Sequence, residues 1–347
     1  MNRPIAITLG DAAGIGPEII AKSFRDAPQE TRGCFVAGDV ATLRRAVGFI
    51  GGAGRASVPV AVIEAPRDAL NAPPRCIPVL QIPGLQQAVP LGAVSGVAGR
   101  FAADCVVWAA RAALRGEIAA LVTAPLHKEA LALAGIAFPG HTELLQAEAA
   151  AYQGKPVREV PVRMMLANNE LSTVLVSIHV SLRAAIEAVS FDNVLQTLRI
   201  AHQFVRGPVG SARRHRPRIG VAGLNPHAGE GGLFGREEID IIAPAIAAAR
   251  CEGIDANGPF APDTVFMRAR ARDGQPGEFD VVVAMYHDQG LIPVKYLGVD
   301  QGVNVTLGLP LVRTSPDHGT AFDIAGSGTA DAASLIAAIR MARQLCT

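Results

Sequence analysis

Short apolar runs that alternate with longer helix-forming segments constrain this chain more than any other feature. The helical segments are 98–115, 142–152, 182–205, 236–252 and 328–345. Several apolar runs are continuous, as in strands buried on both faces of a sheet. The order predicts an α/β protein with parallel or mixed sheets covered by helices. The runs are IAITLG (5–10), CFVAGD (34–39), VPVAVIE (58–64), AALVTAP (119–125), PVRMMLAN (161–168), STVLVSIHV (172–180), PRIGVAGL (217–224), DVVVAMYHD (280–288) and VNVTLGLPLV (303–312).

Length and composition narrow the class of protein. A chain of 347 residues is long enough for two domains. A formal net charge of +1 gives no overall field that would attract nucleic acid or an acidic membrane. The five cysteines are scattered without a CxxC pair, which favours reduced thiols, and no apolar stretch resembles a signal peptide or a membrane span. We expect a cytoplasmic protein. The Pro- and Gly-rich segment 50–95 predicts no definite element.

Three histidines stand at the ends of predicted strands. His179 ends STVLVSIHV, His227 lies in GLNPHAGEGG after a strand, and His287 follows VVVAMY. Polar groups at such strand ends carry the chemistry of many α/β enzymes. If the imidazoles converge, they form an open metal site that leaves room for water or substrate, with Glu230 and Asp288 available to orient the rings. Alternatively, each is a polar residue at a strand mouth, because spacing alone does not bring them together.

Three further regions carry glycines or polar groups at the starts of helices. LGDAAGIGPEI (9–19) predicts a tight turn into a helix that opens at Pro17 and Glu18, and it serves either as a structural turn or as a ligand turn. It is not the GxGxxG of a Rossmann turn. In FPGHTELL (138–145), Thr142 is a candidate N-cap. In TAPLHKEAL (123–131), His127 is expected at the surface or behind the site.

The segment from 287 to 326 is dense in residues that hold anions. Lys295, Asn304 and Arg313 combine a cation, an amide and a guanidinium, which together suit a phosphate or a carboxylate. Arg313 directly follows an apolar run and is the stronger candidate, since most single cations are solvated surface groups. Asp263, in GPFAPDTVF, suits a base, a metal ligand or a cap.

The order of these motifs resembles the 4-hydroxythreonine-4-phosphate dehydrogenase (PdxA) family, including its relatives that oxidise 4-phospho-D-threonate or D-erythronate 4-phosphate. Matching stretches run from ITLGDAAGIGPEI through GLNPHAGEGG and AMYHDQG to DHGTAFDIAG, over essentially the whole chain. One departure is Ala12, where relatives commonly have Pro.

The resemblance implies a fold and an assembly. It implies two α/β/α domains like those of isocitrate and isopropylmalate dehydrogenases, not a Rossmann dinucleotide fold. We expect residues 1–135 with 300–347 to form the domain that carries the cofactor segment, and 136–299 to form the domain that carries the histidines. A homodimer with a shared active site in the cleft is also implied.

The resemblance assigns roles to individual residues. It implies that a divalent metal (Zn, Mg, Mn or Co) is held by His179, His227 and His287. Asp263 and Lys295 are the implied catalytic residues. The implied substrate-binding residues are His141, Thr142, Lys295, Asn304 and Arg313, and the implied NAD- or NADP-binding residues are His318, Gly319, Thr320, Ala321 and Asp323.

The implied reaction is metal-assisted oxidation of a secondary alcohol on a small phosphorylated hydroxy acid, with hydride transfer to NAD and loss of CO₂. The preferred substrate is 4-hydroxythreonine 4-phosphate, as in vitamin B6 synthesis, and the alternatives are 4-phospho-D-threonate and D-erythronate 4-phosphate. Two other classes remain. A three-histidine hydrolase would activate water without nicotinamide, and a metal-dependent binding protein would not turn over substrate.

Overall fold

The computed structural model of the protein describes residues 3–51, 58–206, 216–298 and 301–346. Within these ranges the chain is mixed α/β, which confirms the predicted fold class. The strands are β1 (Ile5–Thr8), β2 (Cys34–Gly38), β3 (Val60–Ile63), β4 (Ile77–Gln81), β5 (Ala120–Thr123), β6 (Arg163–Ala167), β7 (Ser172–Leu175), β8 (Arg218–Ala222), β9 (Asp255–Phe260), β10 (Val281–Ala284), β11 (Val303–Leu307) and β12 (Arg313–Pro316).

The α-helices begin where the sequence supplies helix starts. Pro17 lies in the first turn of the first helix, and Asp39, Ser95 and Ser181 cap three later ones by accepting a backbone N–H. The helices are α1 (Gly16–Asp26), α2 (Val40–Ile50), α3 (Gly96–Leu114), α4 (Lys128–Leu133), α5 (His141–Gln153), α6 (Leu182–Ala188), α7 (Phe191–Arg206), α8 (Ala243–Cys251), α9 (Val265–Ala269), α10 (His287–Tyr296) and α11 (Ala333–Cys346).

The chain divides into two compact units. Unit 1 comprises Met1–Pro161 and Leu309–Thr347, and unit 2 comprises Val162–Gly308. These limits differ from the expected ones, 1–135 with 300–347 and 136–299. Residues 136–161 belong to unit 1 because α5 packs against α3. Residues 300–308 belong to unit 2 because β11 pairs with β6.

Unit 1 is built on a parallel sheet in the order β3-β4-β2-β1-β5-β12. Every residue of β1, β2, β5 and β12 is buried, as expected for strands covered on both faces. Helix α1 packs with α2 and α11, whereas α3 packs with α4 and α5. The carboxyl ends of the parallel strands therefore meet at one edge of the sheet.

Unit 2 is built on the strand order β11-β6-β7-β10-β8-β9. Strand β6 is antiparallel to both neighbours, whereas β7, β10, β8 and β9 are parallel. Helices α7 and α8 pack together. A separate apolar core joins the strands to α9 and α10 through Phe266, Leu291 and Val294. The parallel order places the ends of β7, β10 and β8 side by side.

The predicted elements need three kinds of correction. The run 172–180 forms a strand only to Leu175, so His179 lies in the loop beyond it. The predicted helix 182–205 is two helices, α6 and α7. The segment 236–252 contains a π-helical turn (Glu238–Ile242) before α8. No helix in the described ranges is both long and apolar enough to cross a membrane.

Candidate active site

The three predicted metal-binding histidines follow three adjacent parallel strands of unit 2. His179 comes four residues after β7 ends, His287 is the first residue of α10 just beyond β10, and His227 lies in the loop after β8. The strands are neighbours in the order β7-β10-β8. All three histidines therefore follow strands that end at the same edge of this sheet.

His179 and His287 are close to one another. Their ring centroids are 5.6 Å apart, with 48° between the ring planes. The Nδ1 atom of His287 lies 2.7 Å from Oδ1 of Asp288. This hydrogen bond orients the ring and leaves Nε2 as the ring nitrogen that could bind a metal. Asp288 thus has the contact that the sequence suggested for it.

His227 lies in a loop with an unusual backbone. Pro226–Gly232 forms a 3₁₀-type turn, yet six successive residues from His227 onward have positive φ angles, between 43° and 102°. Three of the six are not glycine: His227, Ala228 and Glu230. An L-residue in this left-handed region costs about 1–2 kcal/mol. The conformation therefore needs support from the surrounding structure.

That support comes from residues the sequence did not single out. The buried carboxylate of Glu238 accepts the backbone N–H groups of Leu224 and Asn225, each at 2.7 Å. It also accepts Nδ2 of Asn225 at 2.9 Å. Gln289 accepts the N–H of Met285 and donates to the carbonyl of Gly223, at 2.7 and 2.8 Å. The His227 loop and the start of α10 are thereby joined.

Within the described ranges, no group of three or more His, Cys, Asp or Glu side chains is arranged to hold an ion. Two of the three imidazoles are neighbours. The ring centroid of His227 lies 6.2 Å from that of Phe234. The three-histidine site therefore stays a prediction.

The other predicted residues of unit 2 lie on three different elements. Asp263 is exposed in the turn before α9, and Lys295 is exposed in the last turn of α10. Asn304 lies on β11, opposite Leu166 of β6, and is half-buried. No distance among the three defines a common site.

Arg313 is the most unusual charged residue of unit 1. It begins β12 and is 3% exposed. Its Nε and Nη2 atoms donate to Thr123 Oγ1, at the end of the neighbouring strand β5, at 3.1 and 2.7 Å. Burial lowers the pKa of the guanidinium to about 10, against the attraction of Glu143. A cation held at such a cost suits an anionic ligand.

His141 and Thr142 are the first two residues of α5, and His141 lies close enough to Arg313 to interact with its charge. Burial, with the charge of Arg313 as a second cause, holds the pKa of His141 well below its ordinary value, so the imidazole is neutral. Its Nε2 atom is buried without a hydrogen-bond partner in the described part of the chain. The predicted N-cap was wrong: Gly140 occupies that position, and no side chain caps the helix. The start of α5 therefore has no side-chain cap and lies within range of the charge of Arg313.

The expected cofactor segment packs against the Gly-rich turn. The N–H of Ile15 donates to the carbonyl of Thr320 at 3.0 Å. A Cβ on Gly14 would lie 2.9 Å from Thr320, so only glycine permits this approach. Ala321 is left-handed, with φ 40°. On the same segment, the exposed residues are His318, Gly319 and Asp323.

Two polar groups lie beneath this segment. His127 stacks on Phe322, with ring centroids 4.8 Å apart and 12° between the planes. Asp11 is fully buried, and burial raises its pKa although Ala13 and His127 oppose the shift. In the described part of the chain, Asp11 Oδ2 and His127 Nδ1 lack hydrogen-bond partners. His127 is therefore partly buried behind the turn, which agrees with the expected position behind the site and not with a surface position.

A buried ion pair fixes the far end of the segment. Lys22 Nζ lies 3.1 Å from Glu18 Oε1, and both side chains are largely buried. Lys22 donates to the carbonyls of Gly328 and Ala330, while Glu18 accepts both of their N–H groups. The sequence showed Glu18 only as a helix-opening residue. Its backbone partners Gly328 and Ala330 lie about 310 residues away, so no local pattern could have identified them.

Comparisons with known proteins extend over nearly the whole chain. The family model described as pyridoxal phosphate biosynthetic protein PdxA matches residues 30–342. A 4-hydroxythreonine-4-phosphate dehydrogenase from Beijerinckia indica is 52% identical, over 99% of this chain and 96% of that protein. A D-threonate 4-phosphate dehydrogenase from Salmonella typhimurium is 45% identical, over 99% of both. The crystal structure of a 4-hydroxythreonine-4-phosphate dehydrogenase from Klebsiella pneumoniae has 42% identity and a TM-score of 0.85, and the match covers 99% of this chain and 100% of that one.

Proposed function

Because the chain belongs to the PdxA family of pyridoxal phosphate biosynthetic proteins, we propose that it oxidises 4-hydroxythreonine 4-phosphate. The product would be 2-amino-3-oxo-4-phosphooxybutanoate, which as a β-keto acid loses CO₂ to give 3-amino-2-oxopropyl phosphate. NAD or NADP would be the oxidant, and a divalent metal would assist. The relative at 52% identity carries the name of this activity.

The observation that carries the proposal is the buried guanidinium of Arg313 beside the uncapped start of α5. A phosphate there would receive charge-assisted hydrogen bonds from Arg313 and from first-turn N–H groups. Neutral His141 would supply a further hydrogen bond without a competing charge. Thr142 would contribute its hydroxyl. Binding energy at this non-reacting end of the substrate would orient the reacting end.

The histidines suit a divalent ion by their chemistry. Imidazole nitrogens are preferred ligands of Zn²⁺ and Co²⁺, and the His179–His287 pair supplies two of them. When bound, the metal would lower the pKa of the substrate hydroxyl, and NAD or NADP would accept the hydride. His227 would provide the third nitrogen from its loop, and Asp288 would keep His287 oriented.

The remaining residues would move protons and hold the substrate. We assign Asp263 as the acceptor of the hydroxyl proton, since an exposed carboxylate can reach solvent and release it. Lys295 would neutralise charge on the carboxylate and phosphate groups of the substrate, and Asn304 would hydrogen-bond to it. Exposed His318, Gly319 and Asp323 would contact the nucleotide, with Thr320 and Ala321 fixing the loop. The family membership also suggests a homodimer with a shared site, which light scattering tests.

D-threonate 4-phosphate is the second candidate substrate. The relative at 45% identity that bears this name covers the chain as completely as the first. The two substrates differ mainly at C2, where one carries an amine and the other a hydroxyl. Both would use Arg313 in the same way, so the arginine does not discriminate between them.

The test is NADH or NADPH formation by purified protein with each substrate, before and after chelation and with divalent metal restored. We expect turnover of 4-hydroxythreonine 4-phosphate that chelation abolishes and metal restores. Turnover of D-threonate 4-phosphate alone would transfer the assignment to the second candidate. Hydrolysis without nucleotide reduction would favour a three-histidine hydrolase, and binding without turnover would favour a binding protein.

A further inference from the structure

The left-handed His227 loop is held from one side by a single carboxylate. Oε1 of Glu238 accepts the N–H groups of Leu224 and Asn225, which immediately precede the loop. Oε2 faces Gly229 within the loop, where an added Cβ would lie 2.7 Å from this oxygen. Glu238 therefore contacts both the entry and the middle of the strained segment.

Asn225 completes this arrangement. Its Nδ2 donates to Glu238 Oε2 at 2.9 Å and to Glu237 Oε2 at 2.7 Å. Three N–H groups thus converge on Glu238, and an ionised carboxylate accepts all of them without a proton of its own. An amide in this position would present an NH₂ group to at least one of those donors. The contacts are therefore specific for glutamate.

The local helix geometry is also unusual. Glu238 is the first residue of the π-helical turn Glu238–Ile242, and it is 3% exposed. Single π turns are rare and occur often at functional sites. The neighbouring acidic residue Asp240 instead points outward and pairs with Arg236 on the surface. The turn thus places one carboxylate inward and the other in solvent.

The same loop is tied to the start of α10. Gln289 bridges the carbonyl of Gly223 and the N–H of Met285. Gly223 adjoins Leu224, a Glu238 partner, and Met285 precedes His287 by two residues. Glu238 and Gln289 together connect the segments that carry His227 and His287.

We propose that Glu238 is a positioning residue that keeps the His227 loop in its left-handed form before any ligand binds. Its role in metal affinity rests on the proposed function, whereas its role in loop conformation does not. Residues that orient metal ligands in this way commonly change metal affinity by about 10- to 100-fold when replaced. The expected consequence is a preformed ligand position in the metal-free protein.

The experiment compares Glu238→Gln with Asp240→Asn in the full chain. Both remove one negative charge from the same π turn, but only Glu238 contacts the loop. Hydrogen exchange of metal-free protein would be followed in peptides covering 223–235. We expect about tenfold faster exchange in Glu238→Gln at Leu224 and Asn225, because a neutral amide oxygen accepts their N–H groups more weakly than a carboxylate and the contact with Asn225 Nδ2 is lost. Exchange in Asp240→Asn should be unchanged. Zn²⁺ titration should show about 10- to 100-fold weaker binding in Glu238→Gln alone.

The outcomes separate the two proposals. If a folded Glu238→Gln variant exchanges the amide hydrogens of 223–235 as slowly as the wild-type protein, the positioning role of Glu238 is overturned. Absence of Zn²⁺ binding by wild-type protein would count against the proposed metal, while the exchange result would still decide the role of Glu238. If Glu238→Gln does not fold, Asn225→Ala removes the side-chain donor to Oε2 of Glu238, together with its contact to Glu237, and leaves the two backbone N–H contacts with Oε1 in place. That variant should show the same change in loop exchange with a smaller amplitude, and unchanged exchange would overturn the inference.

Discussion

Replacing Arg313 with Met should stabilise the protein and weaken its binding of phosphate. The fall of the Arg313 pKa from 12.5 to about 10 corresponds to about 3 kcal/mol for keeping the charge buried. Methionine has similar length and carries no charge. It forfeits the hydrogen bonds to Thr123, which costs about 1–2 kcal/mol. The net gain is about 1–2 kcal/mol, or roughly 2–4 °C in Tm.

The assay is thermal unfolding of both proteins with and without inorganic phosphate. Phosphate should raise the Tm of wild-type protein, because a ligand that binds only the folded state stabilises it. It should have little effect on Arg313→Met. In the dehydrogenase assay, KM for the phosphorylated substrate should rise by about 100-fold, the equivalent of about 3 kcal/mol of lost charge-assisted hydrogen bonds.

Arg340→Met serves as the matched control. Arg340 also belongs to unit 1, but its ion pair with Glu30 lies at the surface. Its replacement should change stability by no more than about 0.5 kcal/mol and leave the phosphate effect intact. If Arg313→Met lowers the stability by more than about 1 kcal/mol, the arginine is a structural residue whose contacts outweigh its burial. An undiminished phosphate effect in that variant would refute the anion site.

Three further substitutions test the environment of unit 1. The pKa of His141 is depressed in the folded protein, so stability is lost as pH falls below about 6.5, where the unfolded chain takes up a proton at this residue. His141→Gln should therefore flatten the acid side of a Tm-against-pH curve, and an unchanged slope would contradict this. The raised pKa of Asp11 means that stability is lost as pH rises above 3.8, so Asp11→Asn should raise the Tm at pH 7, and a lower Tm would show that the carboxylate is needed for folding. Lys22→Met leaves Glu18 buried without its cation, which should lower the free energy of unfolding by about 3–5 kcal/mol in denaturant. It should also weaken NAD binding measured by calorimetry. If NAD binding is unaffected, the Lys22–Glu18 ion pair does not support the cofactor segment.

The sequence predicted strands well where they are continuous and apolar. Strands β1, β2, β5, β8 and β10 fall within runs identified from composition alone. Three strands were missed for identifiable reasons. Strand β4 (IPVLQ) lies in a Pro-rich segment, β9 (DANGPF) contains Gly and Pro, and β12 (RTSP) is polar although all four residues are buried. Their burial depends on neighbouring strands, which local composition does not encode.

The site was predictable in its positions but not in its contacts. His179, His227 and His287 follow β7, β8 and β10, which are neighbours, so the segments that carry the histidines leave the sheet at one edge. The sequence could not order those strands, so it could not distinguish the adjacent pair His179–His287 from the third residue. Nor could it exclude Thr142 as an N-cap, because Gly140 also permits the extended φ that begins α5.

Arg313 and His227 are held by different means, which bears on how each should respond to change. Arg313 belongs to a buried strand in register with β5, so displacing it requires breaking the sheet. His227 lies in a left-handed loop held by side-chain hydrogen bonds from Glu238 and Gln289. Loops supported in this way open at a lower free energy than buried strands. Substitutions near Arg313 should therefore change affinity through direct contacts, whereas those near Glu238 should act through the fraction of time that His227 is in place.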